Sequence, residues 1–302
     1  MSNTPHIAFT GAPLDLAENQ RDASALTAFA AAQNARAIVM VDGKFLVKDG
    51  DLVQLHPSQL KGTHLYDPGP LFLGLDGDVP QFAFSLAKDG EALNLIKGGA
   101  LDHLRNLAFL MEGRQLALAG RAKSLFDWHK SHRFCSNCGV ESKPQSGGVT
   151  RKCPTCATDH FPRVNPVAIM LVIDGDKCLL GRGPNWPEDA YSALAGFVSS
   201  GESLSEACIR EVKEEVDIDV VDPVYKFSQP WPYPGQLMMG LFCTATTTKV
   251  TVDGKELSDA KWFSKDVVKR ILAGEKYQEG ETFICPPPFA ISHQLLKAWV
   301  ED

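Results

Sequence analysis

The sequence predicts an α/β (α+β) protein: a C-terminal α/β domain preceded by a small metal-stapled module and an N-terminal mixed α+β domain. Three observations predict it. The chain has 302 residues, more than one small core usually needs. Its texture changes twice along its length, and four of its eight cysteines form two tight pairs between the changes.

Residues 1–130 mix short apolar runs (Ala37 to Val41, Leu71 to Leu75, Phe82 to Leu86) with turns such as Asp42-Gly43 and Asp76-Gly77-Asp78, the pattern of strands and hairpins. An Ala- and Leu-rich stretch from about Gly99 to Lys130 reads as helix. No chemical motif occurs here, and a structural or dimerising role fits this region best. Residues 131–162 are polar and hold the cysteine pairs, with too little apolar sequence for a core. From 163 to 302 the pattern is α/β. Strands are expected at Val167 to Ile173 and Lys177 to Leu180 around an Asp174-Gly175 turn, then near Gly240 to Ala245 and Ala260 to Phe263. Helices are expected from about Ser203 to Val216 and from Ala290 to Val300.

Composition narrows the function. The chain is 44% hydrophobic and 22% charged, with a net charge of −7, so it lacks the basic stripe of a general nucleic-acid binder. A focused site for a phosphorylated ligand remains open, because bound metal supplies positive charge. Residues 1–20 show no basic segment followed by an apolar run, and Pro166 to Ile173 falls far short of the roughly 20 apolar residues of a membrane span. The expectation is a cytosolic protein with no membrane partner. The scattered Cys178, Cys208, Cys243 and Cys285 read as small core hydrophobes.

The paired cysteines are spaced Cys135-x2-Cys138, fourteen residues, Cys153-x2-Cys156. Two such knuckles set four thiolates around zinc at about 2.3 Å, with no position open for water. One structural zinc per chain is therefore expected. Two disulfides or a redox pair are the alternatives, and neither explains two pairs in one polar module.

Between Gly196 and Ile218 lies an acidic helix. Glu211, Glu214 and Glu215 fall three and four residues apart on one side of it, at about 0.2–0.5 kcal/mol of repulsion per like-charged pair. Such a face suits Mg2+ or Mn2+, yet by itself a solvated acidic face explains it as well. The preceding loop favours a site. Gly196 and Gly201 bracket a turn that phosphate or metal could approach, Glu202 precedes the helix, and Arg210 is placed to fix a neighbouring carboxylate.

The spacing Gly196-x5-Glu202-x7-Arg210-Glu211-Val212-x-Glu214-Glu215-x2-Ile218 resembles the box of the Nudix hydrolases. Asp217 departs from it, standing where that family has Gly. Its expected cost is about 1 kcal/mol, from a left-handed backbone and a charge opposing the helix dipole.

Downstream, Ser228-Gln229-Pro230-Trp231-Pro232-Tyr233-Pro234 presents two aromatics on a proline-stiffened segment, suited to stacking on a ring or to packing in a core. With the box and the cysteine module, this segment resembles the NADH pyrophosphatase family of Nudix hydrolases over about residues 130–302, and only loosely before that. The resemblance implies a Nudix α/β/α sandwich fold preceded by a zinc ribbon, and hydrolysis of the diphosphate of NADH or NAD+ to (reduced) nicotinamide mononucleotide and AMP. It implies two or three catalytic Mg2+ or Mn2+ ions held by Glu211, Glu215, Glu256 and the Ala195 carbonyl. Glu214, Arg210 and Glu202 complete the catalytic set, with Glu214 or Glu211 as candidate base. Substrate contacts are implied for Gln229, Pro230, Trp231, Pro232, Tyr233, Pro234, Gly235 and Gln236, for Phe197 and Ala290, and for Phe161 from the partner in a homodimer.

Two rivals remain. One is another Nudix activity, on NAD-capped RNA, ADP-ribose or a dinucleoside polyphosphate. The other is a non-enzymatic nucleotide sensor whose zinc ribbon binds nucleic acid. The few basic residues of the ribbon (Lys143, Arg151, Lys152) weaken the second.

Overall fold

A computed structural model describes residues 7–111, 113–252, 254–275 and 283–302. Residues 1–6, part of the N-terminal stretch in which no leader is expected, lie outside the described residues. Contacts divide the chain into two units. One comprises Ala8–Val164 with Pro230–Gly235, the other Asn165–Gln229 and Gln236–Asp302 together with Ile7.

In the first unit, α1 (Ala23–Ala31) starts at Asp22, whose carboxylate accepts from the backbone N–H groups of Ser24 and Ala25. The sheet contains β1 (Arg36–Val41), β2 (Lys44–Lys48), β3 (Asp51–Leu52), β4 (Leu71–Asp76) and β5 (Val79–Leu86) in the order β3-β2-β1-β5-β4. Strands β1 and β5 run parallel, and Ala37, Val39 and Val41 meet Phe82, Phe84 and Leu86 in one core. After α2 (Asp89–Asn94), the stretch expected to be one helix is three elements. β6 (Ala100–His103) pairs with β2, a single turn α3 (Leu104–Leu107) follows, and α4 (Arg114–Ser131) is the long helix. Gly113, at φ 61° and ψ −127°, holds a conformation closed to other residues and sets the start of α4.

The cysteine module packs in the same unit, with β7 (Lys143–Gln145), β8 (Thr150–Lys152) and β9 (Asp159–His160) in one small sheet. Its fully buried Arg151 donates to the Ser142 hydroxyl and carbonyl, to Asp67 at 2.8 Å and to His129 Nδ1 of α4 at 2.8 Å. A guanidinium only donates, so Nδ1 accepts and the His129 proton sits on Nε2, which donates to the Gly148 carbonyl at 2.6 Å. Burial, reinforced by Arg151, pushes the His129 pKa down from 6.5 to about 4. The unfolded chain therefore binds the extra proton first, and stability is full above pH 6.5 and falls as pH drops toward 4. The expected loss is about 3 kcal/mol, at 1.36 kcal/mol per pKa unit. Urea midpoints at pH 7 and 4.5 should fall further for the wild type than for His129→Gln. Equal falls would clear His129.

The second unit holds β10 (Asn165–Asp174), β11 (Lys177–Arg182), β12 (Leu194–Phe197), α5 (Leu204–Val216), β13 (Val220–Trp231), β14 (Gln236–Ala245), β15 (Asp259–Ser264), α6 (Lys265–Leu272) and α7 (Ile291–Glu301). The strand order is β13-β14-β10-β11-β15, with β12 also antiparallel to β10 and β14 parallel to it. Because side chains alternate along a strand, β10 serves two cores. Ala168, Met170 and Val172 meet Ala207, Cys208, Val212 and Val216 of α5. Ile169 and Leu171 meet Val268 of α6 and Leu295, Leu296 and Trp299 of α7. The result is the expected α/β/α sandwich, with each buried Leu or Ile contributing about 1.5–3 kcal/mol. The sequence reading did not single out the short α6, although Val267, Val268, Ile271 and Leu272 recur at helical spacing and pack toward the core while Lys269 and Arg270 fall between them. Among the described residues no helix is long and apolar enough to cross a membrane.

Candidate active site: a carboxylate helix under a glycine

α5 begins with a reciprocal cap, Ser203 Oγ accepting from Glu206 N–H while the Glu206 carboxylate accepts from Ser203 N–H. Just before it, the Glu202 carboxylate accepts from Ser199 N–H and from Arg210. Arg210 is the hub. It donates to Glu202, to Glu211 and Glu214 at 2.8 Å each, and to the Phe197 carbonyl of β12 at 2.9 Å. Those bonds hold the Glu202 carboxyl down at about 2 and push the Arg210 pKa up.

Of the three helix glutamates, Glu211 and Glu215 are buried, at 7% and 5% exposure, and Glu214 is largely exposed. Burial raises the Glu211 pKa, with the charges of Glu214 and Glu256 adding to it and Arg210 opposing. Glu211 fits only because β12 carries Gly196 opposite it. A Cβ built there would lie 1.9 Å from the Glu211 Cδ. Ala195, beside Gly196 on β12, pairs with Ile169. Glu256 is exposed on its loop. The helix ends at Asp217 in the left-handed region, φ 55° and ψ 31°. Lys213 reaches that carboxylate at 2.7 Å, so the charge opposing the dipole is locally compensated. The surface pair offsets part of the strain of the left-handed backbone.

The segment 229–236, expected to meet the substrate, is split by its contacts between the units. Gln229 is fully buried at the end of its unit, its amide donating to the Phe289 carbonyl at 2.7 Å and accepting from Ile291 N–H at 2.8 Å. It thus fixes the start of α7, where Ala290 is the N-cap. Pro230–Gly235 belong by their contacts to the first unit, as does Phe161, and Gln236 opens β14. Phe161 and Phe197 are unusually open for their size, 67% and 54% exposed. The sequence reading missed the cap pair Ser203 and Glu206, although Ser-x-x-Glu before an apolar run was there to be read.

The donor sets fit the expected ions differently. The Sγ atoms of Cys135, Cys138, Cys153 and Cys156 lie within 4.8 Å of one another, two contacts being 3.6 and 3.4 Å, and none forms a disulfide. Bonds of about 2.3 Å to a tetrahedral zinc would set sulfurs about 3.8 Å apart, so the cluster suits that ion. Among the described residues the helix carboxylates form no such close group, because Arg210 holds Glu202, Glu211 and Glu214. Their chemistry still suits a hard divalent cation: oxygen donors, two of them buried, with one guanidinium shared by three carboxylates.

Family models match along the chain: a NUDIX domain over residues 163–283, an NADH pyrophosphatase zinc ribbon domain over 130–161, and an NADH pyrophosphatase-like rudimentary NUDIX domain over 29–128. The last extends the likeness into residues 29–128, where the sequence follows the family only loosely. Nudix hydrolase 19, chloroplastic, of Arabidopsis thaliana is 37% identical over 293 residues, covering 80% of this chain and 66% of that protein. This chain therefore spans just under two-thirds of that relative's length. NAD(P)H pyrophosphatase NUDT13, mitochondrial, of Homo sapiens is 40% identical, covering 76% of this chain and 67% of that protein. NAD-capped RNA hydrolase NudC of Deinococcus radiodurans is 33% identical, covering 83% of this chain and 85% of that protein.

Proposed function

The chain belongs to the NADH pyrophosphatase family of Nudix hydrolases, and on that premise we propose that it cuts the diphosphate bond of NADH or NAD+, giving (reduced) nicotinamide mononucleotide and AMP. The observation that carries this reading is the pair of buried carboxylates, Glu211 and Glu215, of which Glu211 is seated against Gly196 and tied to Arg210.

In this reading Glu211, Glu215, Glu256 and the Ala195 carbonyl hold two or three Mg2+ or Mn2+ ions. Bound there, the ions neutralise the diphosphate and make its phosphorus electrophilic. Arg210 keeps Glu202 and Glu211 in place against β12. Glu214, the open carboxylate of the three, is the group placed to accept the proton of the attacking water, with Glu211 the alternative. Trp231 and its neighbours receive the dinucleotide. Phe197 and, from a second copy of the chain, Phe161 enclose its ring, a role their exposure favours. Zinc in the four-cysteine cluster is structural. The unpaired cysteines favour a reducing compartment such as the cytosol.

A second reading, cleavage of NAD-capped RNA, is favoured by the name of the Deinococcus relative, and the net charge of −7 weighs against it. A non-enzymatic sensor would have no need of the full carboxylate set. Turnover of NADH, NAD+, ADP-ribose and NAD-capped RNA at matched concentrations, with Mg2+ and with Mn2+, tests the proposal. NADH or NAD+ should exceed ADP-ribose in kcat/KM by about tenfold or more, the factor of one lost 1.4 kcal/mol contact. Faster cleavage of ADP-ribose overturns the assignment.

A further inference from the structure

The aromatic segment rests on a support far from it in sequence. Phe9 is 4% exposed and sits at φ 67°, a left-handed conformation that bulky residues avoid. Strain of that kind persists where the surroundings fix the side chain, and here they do. Behind the ring, α4 passes at Gly120, where a Cβ would come within 3.1 Å of it. In front, the ring meets Trp231 edge-on with centroids 6.0 Å apart, and Tyr233 at 6.2 Å. Trp231 and Tyr233 pack on each other at 5.2 Å and 66°, closing a three-ring cluster. Arg105 and Lys123 stand over the Tyr233 ring at 5.0 and 5.2 Å. Tyr233 is thereby enclosed, and burial pushes its hydroxyl up to about 12.

We propose that Phe9 is a positioning residue for substrate recognition, fixing Trp231 and Tyr233 in the arrangement that receives the dinucleotide's ring. This rests on the reading of Pro230–Gly235 as the substrate segment. Edge-to-face ring pairs hold both partners in place, so releasing Phe9's two contacts loosens Trp231 without touching the carboxylate helix.

Steady-state kinetics with NADH test this in the full-length, zinc-loaded protein. Trp231→Ala is the control for the segment and should raise KM. Phe9→Ala should raise KM about fivefold to tenfold with kcat within twofold. Phe9→Tyr, which keeps the ring, should recover most of the loss. Gly120→Ala pushes the ring from behind without removing it and should shift KM in the same direction, so the test survives a Phe9→Ala chain that fails to fold. If Trp231→Ala raises KM while Phe9→Ala and Gly120→Ala leave it within twofold, Phe9 has no positioning role. If Trp231→Ala leaves KM unchanged, the substrate-segment reading is lost, and this inference with it.

Discussion

Gly196→Ala should lower kcat on the order of a hundredfold or more, while leaving a folded, zinc-containing protein. The new methyl would sit 1.9 Å from the Glu211 Cδ and closer than 2.5 Å to both its oxygens, a separation no contact sustains. Glu211 cannot simply swing clear. Its oxygen is bonded to Arg210, which is itself bonded to Glu202 and to the Phe197 carbonyl, and α5 is seated by Ala207, Cys208, Val212 and Val216. Either the carboxylate is expelled from the site or β12 moves away from α5, taking the Ala195 carbonyl with it. Overpacking of this sort costs about 1–3 kcal/mol, enough to lower Tm by several degrees without unfolding the chain. Measured kcat within threefold of wild type, at saturating Mg2+ or Mn2+, would show that Glu211 is not needed where it stands.

Glu215→Gln is the sharper chemical probe. Gln keeps the volume and the hydrogen-bonding shape of the side chain and removes its charge at a site 5% exposed. A neutral amide is a poor substitute for a carboxylate toward a hard divalent ion. The expected fall in kcat is on the order of 10²–10³, with the thermal midpoint within a few degrees of wild type. Hydrolysis at an unchanged rate would remove the helix from the mechanism, whatever the family.

Much of the site was legible because its chemistry is local in sequence. The glutamate spacing on α5, the bracketing glycines and the cysteine knuckles each fall within about two dozen residues, so helix and turn geometry carry them directly. What could not be read depends on contacts across long separations. Gln229 binds backbone groups at Phe289 and Ile291. Phe9 meets Trp231, which no periodicity links to it. The stretch from Gly99 to Lys130 was misread as one helix because Ala and Leu satisfy a helical pattern equally well where β2 recruits them as a strand. Among its described residues the first unit has no carboxylate-rich helix like α5, so no motif disclosed its NUDIX-like character.

The bonds of Arg151 make the ribbon something other than a detachable module. One fully buried guanidinium links Ser142 of the ribbon to Asp67 and to His129 on α4, and His129 returns to Gly148 of the ribbon. The ribbon is therefore tied through buried hydrogen bonds to the loop at Asp67 and to α4. Losing zinc leaves Arg151 with a loosened partner in a place water does not reach, and the disturbance passes into α4, the helix that backs Phe9. Release of a metal from the four thiols would thus be felt first not in the ribbon alone but along α4, at the helix face on which Phe9 and the aromatic segment rest.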